Sequence, residues 1–330
     1  MPRASTQLSI RDHLGTLRAR IGIARNQYKI NPGLYCVGEP TPASPIFVTA
    51  NYKLSFDAIR NELSGIDAWI LVADTRGINV WCAAGKKNFS ADEIAMQVKR
   101  ARLAKIVSHR ELILPQLAAP GVASYELNRK CGFRAIFGPI SAADIRDYLA
   151  NGKHADERMR AVTFTFGERL VLIPVEIALI WKLFALIAIV ILILSGIGPG
   201  LYSITSALNR GMIAIGATAT AILAGAAVTP MLLPWIPGRQ FWWKGLFTGG
   251  VAGGAYIFIV AAPRMLPPFD AASLWLWIMA ASTYMAMNFT GATPFTSLSG
   301  VEKEMRRGLP IQCVGACVAL ILWLASPFIG

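Results

Sequence analysis

"PIFVTANYKLSFDAIRNELSGIDAWILVAD", residues 45–74, decides the fold of the first half of this chain. "IFVTA", residues 46–50, is a short apolar run rich in strand-formers, and it reads as a buried strand. "SFDAIRNELSG" is an amphipathic helix ended by Gly65, and "DAWILVAD" is a second buried strand. Buried strands joined through a helix are the repeating unit of a parallel sheet.

Working outward, the alternation continues. "SADEIAMQVKRARLA" predicts a helix with Ser90 as N-cap and Glu93 at the capping-box position. "KIVS", residues 105–108, reads as a strand, "GVASYELNRKCG" as a helix, "FRAIFG" as a strand and "SAADIRDYLA" as a closing helix. The expected class is α/β, a Rossmann-like, mainly parallel sheet over residues 44–160 with helices on both faces. Such sheets bind ligands beyond the carboxyl ends of their strands. Residues 1–43 are basic and punctuated by Pro and Gly, and they read as a mobile lead-in.

Composition changes near Phe166. Of the 330 residues 54% are hydrophobic, yet most of the charge lies upstream of that point. Apolar runs at 176–198, 211–234, 245–263, 272–289 and 310–329 each approach the ~20 residues that cross a bilayer. The expectation for 161–330 is an all-α membrane domain of about five transmembrane helices, with Glu176 and Lys182 inside the first. The amino terminus has no apolar core of signal-peptide length, so the first half is expected in the cytoplasm, on a multi-pass inner-membrane protein. Five crossings then turn residues 288–308 toward that half. The net charge of +13 fits Lys and Arg at cytoplasmic flanks better than nucleic acid, since no basic cluster interleaved with aromatics stands out.

No GxxxxGK[ST] or GxGxxG loop is present, and His13, His109 and His154 are far apart, so hydrolase, kinase, dehydrogenase and zinc-site readings have no local motif. The chemistry concentrates instead in "GINVWCAAGKK", residues 77–87. Asn79 is a good N-cap for a helix from Val80 to Ala84 ended by Gly85. Asn79, Cys82, Gly85 and Lys86 then share one side, and the surface around the sulfur is flat and poor in side chains. A thiolate there is favoured by the first-turn N–H groups and by Lys86 one turn on. One protein thiolate cannot close a zinc site, but it can be an axial ligand to a metal already held by a macrocycle. A buried packing cysteine is the competing reading for Cys82. Trp81 and Cys131 read as core. Cys313 and Cys317, one turn apart, fit helix packing, or a carrier passing a soft metal ion across the bilayer.

"NVWCAAGK", residues 79–86, resembles the cap-helix signature of the HgcA family of mercury-methylating corrinoid proteins, which are related to the corrinoid iron–sulfur protein large subunit. "VTANYKLSFD", "AKIVSHRELILPQLAAPGV", "VTFTFGERLVLIPVE" and "MNFTGATPFTSLSGVEKEM" extend the resemblance along the chain. It implies a cobalamin-type corrinoid with Cys82 as lower axial ligand to cobalt. Asn79, Val80, Trp81, Ala83, Ala84, Gly85 and Lys86 correspond to the cap helix. Thr49, Ser108, His109, Gly121 and Gly138 correspond more loosely to residues lining the corrinoid pocket. The implied reaction moves a methyl group to Hg(II). The implied partners are an HgcB-like ferredoxin as electron donor and a methyl-donor protein or methyltetrahydrofolate. "KNFSA", residues 87–91, departs from a Gly-Thr-rich continuation resembling "GTFGT". A corrinoid methyl carrier of one-carbon metabolism, of the acetyl-CoA pathway type, shares the cofactor but not the acceptor.

Overall fold

Strand β2 (Ile46–Ala50) is buried at every position, and so is β3 (Ala68–Ala73). Strands covered on both faces need helices above and below. The computed structural model describes residues 1–293 and 298–329. It divides into two compact units, Met1–Val162 and Thr163–Gly330.

In the first unit β1 (Gly33–Val37), β2, β3, β4 (Glu111–Pro115) and β5 (Arg134–Gly138) form one sheet in the order β1-β3-β2-β4-β5. All neighbours are parallel except β1, which runs antiparallel to β3. The helices are α1 (Ile10–Arg20), α2 (Lys53–Glu62), α3 (Val80–Gly85), α4 (Ala91–Arg100), α5 (Ser124–Cys131), α6 (Ile145–Ala150) and α7 (Glu157–Arg160). Phe47, Ile70, Val72 and Ile113 pack with Phe56 and Ile59 of α2 and with Ile145 and Tyr148 of α6. Ile46, Val48 and Leu71 face the other way, toward Ile94 and Val98 of α4 and Leu127 of α5. The two-sided α/β reading therefore holds. Because β3 and β4 lie on opposite sides of β2, the strand order reverses there, and a crevice opens beyond the carboxyl ends of β2 and β4.

Three expectations need correction. Residues 1–43 are not a separate lead-in: β1 completes the sheet, and Asp12 of α1 is held by Lys53 at 2.6 Å and Arg60 at 2.9 Å, both on α2. The same two cations bind Asp57, 3% exposed, at 2.6 Å each. Residues 105–108 are not a strand. Arg102 takes a left-handed turn (φ 49°) after α4, Leu103–Lys105 close a 3-10 turn, and the strand begins at Glu111. Glu93 does not close a capping box. Ser90 accepts the Glu93 N–H, but the Glu93 carboxylate accepts from Asp74 N at 2.8 Å instead.

The second unit holds α8 (Phe166–Ser195), a two-residue-stranded hairpin of β6 (Ile197–Gly198) and β7 (Leu201–Tyr202), and α9 (Ile204–Leu223). A π-turn joins α9 to α10 (Thr229–Met231), followed by α11 (Phe241–Tyr256), α12 (Pro268–Asn288) and α13 (Leu298–Ile329). Among the described residues four helices, Phe166–Ser195, Ile204–Met231, Phe241–Arg264 and Ser299–Ile329, are long and apolar enough to cross a membrane. The fourth of the five expected spans, 272–289, falls on α12, which is not among those four helices and has ten buried residues, Asp270, Ser273, Ser282 and Thr283 among them. Its neighbour α11 approaches through Gly245, Gly249 and Gly253. A Cβ at Gly245 would lie 2.8 Å from Thr283 Cα, and one at Gly249 would lie 3.0 Å from Met279 Cα. Small residues spaced by four let helix backbones meet in this way. The first helix starts ten residues earlier than expected, at Phe166, where Thr165 and Glu168 form a capping box. Of the connector at 288–308, residues 294–297 lie outside the described residues.

Candidate functional site

The crevice beyond β2 and β4 contains a cavity of about 270 Å³. Thr49 from β2, Ser55 from α2, the N-cap Asn79 with Val80 and Trp81 of α3, Leu114 and Pro115 from β4, and Gly138 at the end of β5 all line it. Its position follows from the strand order, so the site is a consequence of the fold.

One buried amide organises the rim. Asn51, 3% exposed, directly follows β2. Its Oδ1 accepts from Thr75 N at 3.1 Å and Gly77 N at 2.9 Å, and its Nδ2 donates to Asp74 Oδ1 at 3.0 Å. The Thr75 hydroxyl sits between Asn51 Oδ1 (2.9 Å) and the Ile78 carbonyl (2.6 Å). These bonds tie down residues 74–78, where Arg76 (φ 61°) and Gly77 (φ 79°) are both left-handed. An L-residue held there needs surrounding structure to fix it. The loop delivers the chain to α3 in a set direction.

On α3 the cap forms as expected: Asn79 Oδ1 accepts from Cys82 N at 2.9 Å. Val80, Ala83 and Ala84 turn inward, whereas Cys82, Gly85 and Lys86 are exposed. A Cβ added at Gly85 would meet nothing within 4 Å. The sulfur therefore stands on an open ledge, and the buried-cysteine alternative does not hold for Cys82. The helix runs through Gly85, and its left-handed terminator is Lys87 (φ 60°), not the glycine. Asn88 N and Phe89 N then return to the Ala83 carbonyl at 2.8 and 3.1 Å, and Phe89 is fully buried as the anchor.

The remaining anticipated residues divide. Thr49, Asn79, Val80, Trp81 and Gly138 line the cavity, Trp81 being half-buried there and not in the core. Ser108 and His109 do not. They precede the amino end of β4, where Ser108 N donates to Pro42 O and His109 Nε2 lies 2.9 Å from Ser44 O, at the opposite edge of the sheet. Gly121 sits behind the ledge: a Cβ there would lie 2.5 Å from Phe89 O and 2.9 Å from both Ala84 Cα and Ala84 O. Cys131 is half-buried with its thiol on Leu127 O, and burial pushes its pKa up, so it belongs with the core. Cys313 and Cys317 are exposed on α13.

Two functional contributors were not anticipated. Asn51 lies within "VTANYKLSFD", and Thr75 lies just before "GINVWCAAGKK". A polar residue at the end of a buried strand, before a tight turn, is the signal that marks them. Glu111 lies at the edge away from the crevice. Hydrogen bonds from Lys153 and Arg134 outweigh partial burial and hold its carboxyl down to about 2.

Comparison with known proteins places this geometry among relatives. Residues 14–149 match the family described as CdhD, CO dehydrogenase/acetyl-CoA synthase delta subunit. The chain is 34% identical over 122 residues to acetyl-CoA decarbonylase/synthase complex subunit gamma 2 of Methanosarcina thermophila, covering 36% of this chain and 26% of that protein. It is 33% identical over 129 residues to the gamma subunit of Methanothermobacter thermautotrophicus, covering 38% and 27%. To the gamma subunit of Archaeoglobus fulgidus it is 28% identical over 127 residues, with the same coverage. The chain spans about a quarter of the length of these curated relatives. The similarity is thus to CO dehydrogenase/acetyl-CoA synthase subunits over the α/β unit that carries the crevice and the Cys82 ledge, and the helical unit from Thr163 onward lies outside the matched family span.

Proposed function

We propose that this chain is a corrinoid-dependent methyl-transfer protein, a methyl carrier of the kind used in acetyl-CoA chemistry, anchored in a membrane by its helical unit. The observation that carries the proposal is the exposed Cys82 sulfur, on a ledge whose neighbours are glycine, buried alanines and a flat amide, beside a cavity at the strand-order reversal. The residues fit the group. A cavity of about 270 Å³ is below the size of ordinary cofactor pockets, so the open ledge around Cys82 would have to hold the group together with the residues lining the cavity. Similarity over residues 14–149 to subunits of acetyl-CoA decarbonylase/synthase supports the same cofactor class.

When bound, a corrinoid supplies a cobalt centre that takes up and gives away a methyl group. Cys82 would hold the cobalt through its sulfur, and an anionic sulfur would donate more electron density to the metal than a neutral imidazole. Asn79 fixes the first turn through the Cys82 N–H, and Asn51 fixes the approach to that turn. Thr49, Trp81 and Gly138 shape the cavity wall. Lys86 and Lys87 place two exposed cations at the ledge, where they attract anionic groups. The cysteines at 36, 82, 131, 313 and 317 are not spaced as a cluster motif, so reducing equivalents would come from an iron–sulfur centre outside these residues.

A second reading keeps every residue role and changes the acceptor to Hg(II). The octapeptide at 79–86, with its resemblance to the mercury-methylating family, and the helical unit outside the matched family span both favour it. Full-length protein loaded with methylcobalamin and offered Hg(II), a thiol or a nickel acceptor distinguishes the two. The visible spectrum of the loaded protein is expected to change with Cys82→Ala. An unchanged spectrum overturns cysteine ligation under either reading.

A further inference from the structure

At one end of the helical unit a turn at Gly238 (φ 94°) brings Arg239 and Gln240 against the first turns of α13, leaving a cleft of about 420 Å³. Glu304 forms its floor. Only 6% exposed, it accepts from Phe241 N at 2.9 Å and Trp242 N at 3.2 Å, which satisfies two free donors at the start of α11. Its negative charge is committed to that helix end. Arg239 and Lys303 remain on the cleft wall, both exposed and without an ion-pair partner among the described residues.

A second feature starts at the same place. Trp243 lines the cleft, and Phe247 and Val251 follow it at four-residue steps along α11. These three side chains are 45%, 50% and 63% exposed, so an uncovered apolar stripe leads away from the two cations. An acidic protein surface would use the cations and leave the stripe bare. A molecule with an anionic head and a hydrocarbon tail uses both.

The geometry points to a binding site for an anionic phospholipid, with its phosphate between Arg239 and Lys303 and an acyl chain along Trp243, Phe247 and Val251. Arg239 offers a planar fork to two phosphate oxygens, and Lys303 adds a point charge. An aromatic ring at the junction of head and tail is where bilayer interfaces favour tryptophan. This site rests on the proposal that the helical unit lies in a membrane. It is independent of the methyl-transfer reading.

The test is native mass spectrometry of the full chain in non-ionic detergent, with equimolar phosphatidylglycerol and phosphatidylcholine of matched acyl chains. The expected result is retention of phosphatidylglycerol by about tenfold or more over phosphatidylcholine. In the Arg239→Ala/Lys303→Ala double variant the preference falls toward unity, and in the charge-conserving Arg239→Lys/Lys303→Arg variant most of it survives. Equal retention of the two lipids, or a preference the double variant does not change, overturns the site. So does tighter binding of a soluble acidic peptide than of lipid at the same residues. Carbonate extraction of native membranes tests the underlying assumption separately. A chain that washes off overturns membrane insertion, whereas one that stays but shows no lipid preference overturns only the site.

Discussion

Replacing Gly121 by alanine tests whether the Cys82 ledge is set from behind. The glycine is not in a left-handed conformation, so alanine costs nothing in backbone strain. The conflict is steric. The new Cβ would sit 2.5 Å from Phe89 O, while ordinary contact begins near 3.4 Å, so the Phe89–Ala84 backbone must retreat by 3.4 − 2.5, about 0.9 Å. All three nearest atoms are backbone, and no side chain can rotate away. Overpacking of this kind costs about 1–3 kcal/mol, and the loss of unfolded-chain freedom returns about 0.4–1 kcal/mol. The net is about 0–2.6 kcal/mol, or up to a roughly 80-fold larger opening constant. Hydrogen exchange of the full chain reads this directly. Amides of Cys82, Ala83, Lys86, Asn88 and Phe89 all bond within the α3 turn, so their peptide is expected to exchange faster by that factor. Peptides from β2 and β3 should be unchanged, and corrinoid retention should fall. Unaltered protection at residues 79–89, or an equal loss across the whole sheet, would refute Gly121 as the seat of the helix.

Other perturbations follow from the same geometry. Asn51→Leu keeps the volume but strands the Thr75 and Gly77 N–H groups, at about 1–3 kcal/mol each; trypsin cleavage after the exposed, left-handed Arg76 should accelerate, and unchanged cleavage would count against the Asn51 tether. Lys87→Gly removes the penalty of a left-handed L-residue, about 1–2 kcal/mol before the entropy of glycine is subtracted, so slower exchange in α3 is expected. The Glu111 carboxyl is held down to about 2 by Lys153 and Arg134, below its usual 4.5, so its contribution is complete above pH 4.5 and is lost as pH falls toward 2. With Arg134 64% exposed, solvent screening leaves that contribution at about 1 kcal/mol. The parent should therefore be the more stable of the pair at pH 6, and its advantage over Glu111→Gln should vanish across that window in urea titrations.

Local chemistry was legible in the sequence; features set by distant packing were not. The Asn79 cap depends on one side chain and an amide three residues on, so composition and spacing were enough to place it. Residues 108–109 show the opposite. A strand at 105–108 would end at Ser108 and open His109 into the crevice, but the strand occupies Glu111–Pro115, and the same residues stand at its beginning, on the far edge. A displacement of a few residues along one strand exchanges the two ends of a sheet. The apolar pattern fixes which residues are buried; the left-handed Arg102 after α4, invisible to that pattern, fixes where the strand starts. Residues 1–43 were obscure for a related reason, since β1 is an antiparallel edge strand and α1 is secured by an ion-pair network with α2, neither of which has local periodicity.

Position 87 holds a lysine in a left-handed turn. By resemblance a glycine is expected there, and the backbone does adopt the left-handed turn that glycine takes without cost. The turn survives with lysine in place, because Asn88 N, Phe89 N and the buried Phe89 ring close it from the downstream side. The substitution therefore leaves the shape of the ledge and alters its charge, giving two adjacent exposed cations, Lys86 and Lys87, one turn from the Cys82 sulfur. A change in electrostatics at a conserved shape acts on what approaches the ledge rather than on what the ledge can hold. Steady-state transfer by Lys87→Gly should then lose ionic-strength dependence for anionic or acidic partners while corrinoid affinity stays within about twofold of the parent. A large change in affinity with the salt dependence intact would show that residue 87 contacts the cofactor itself.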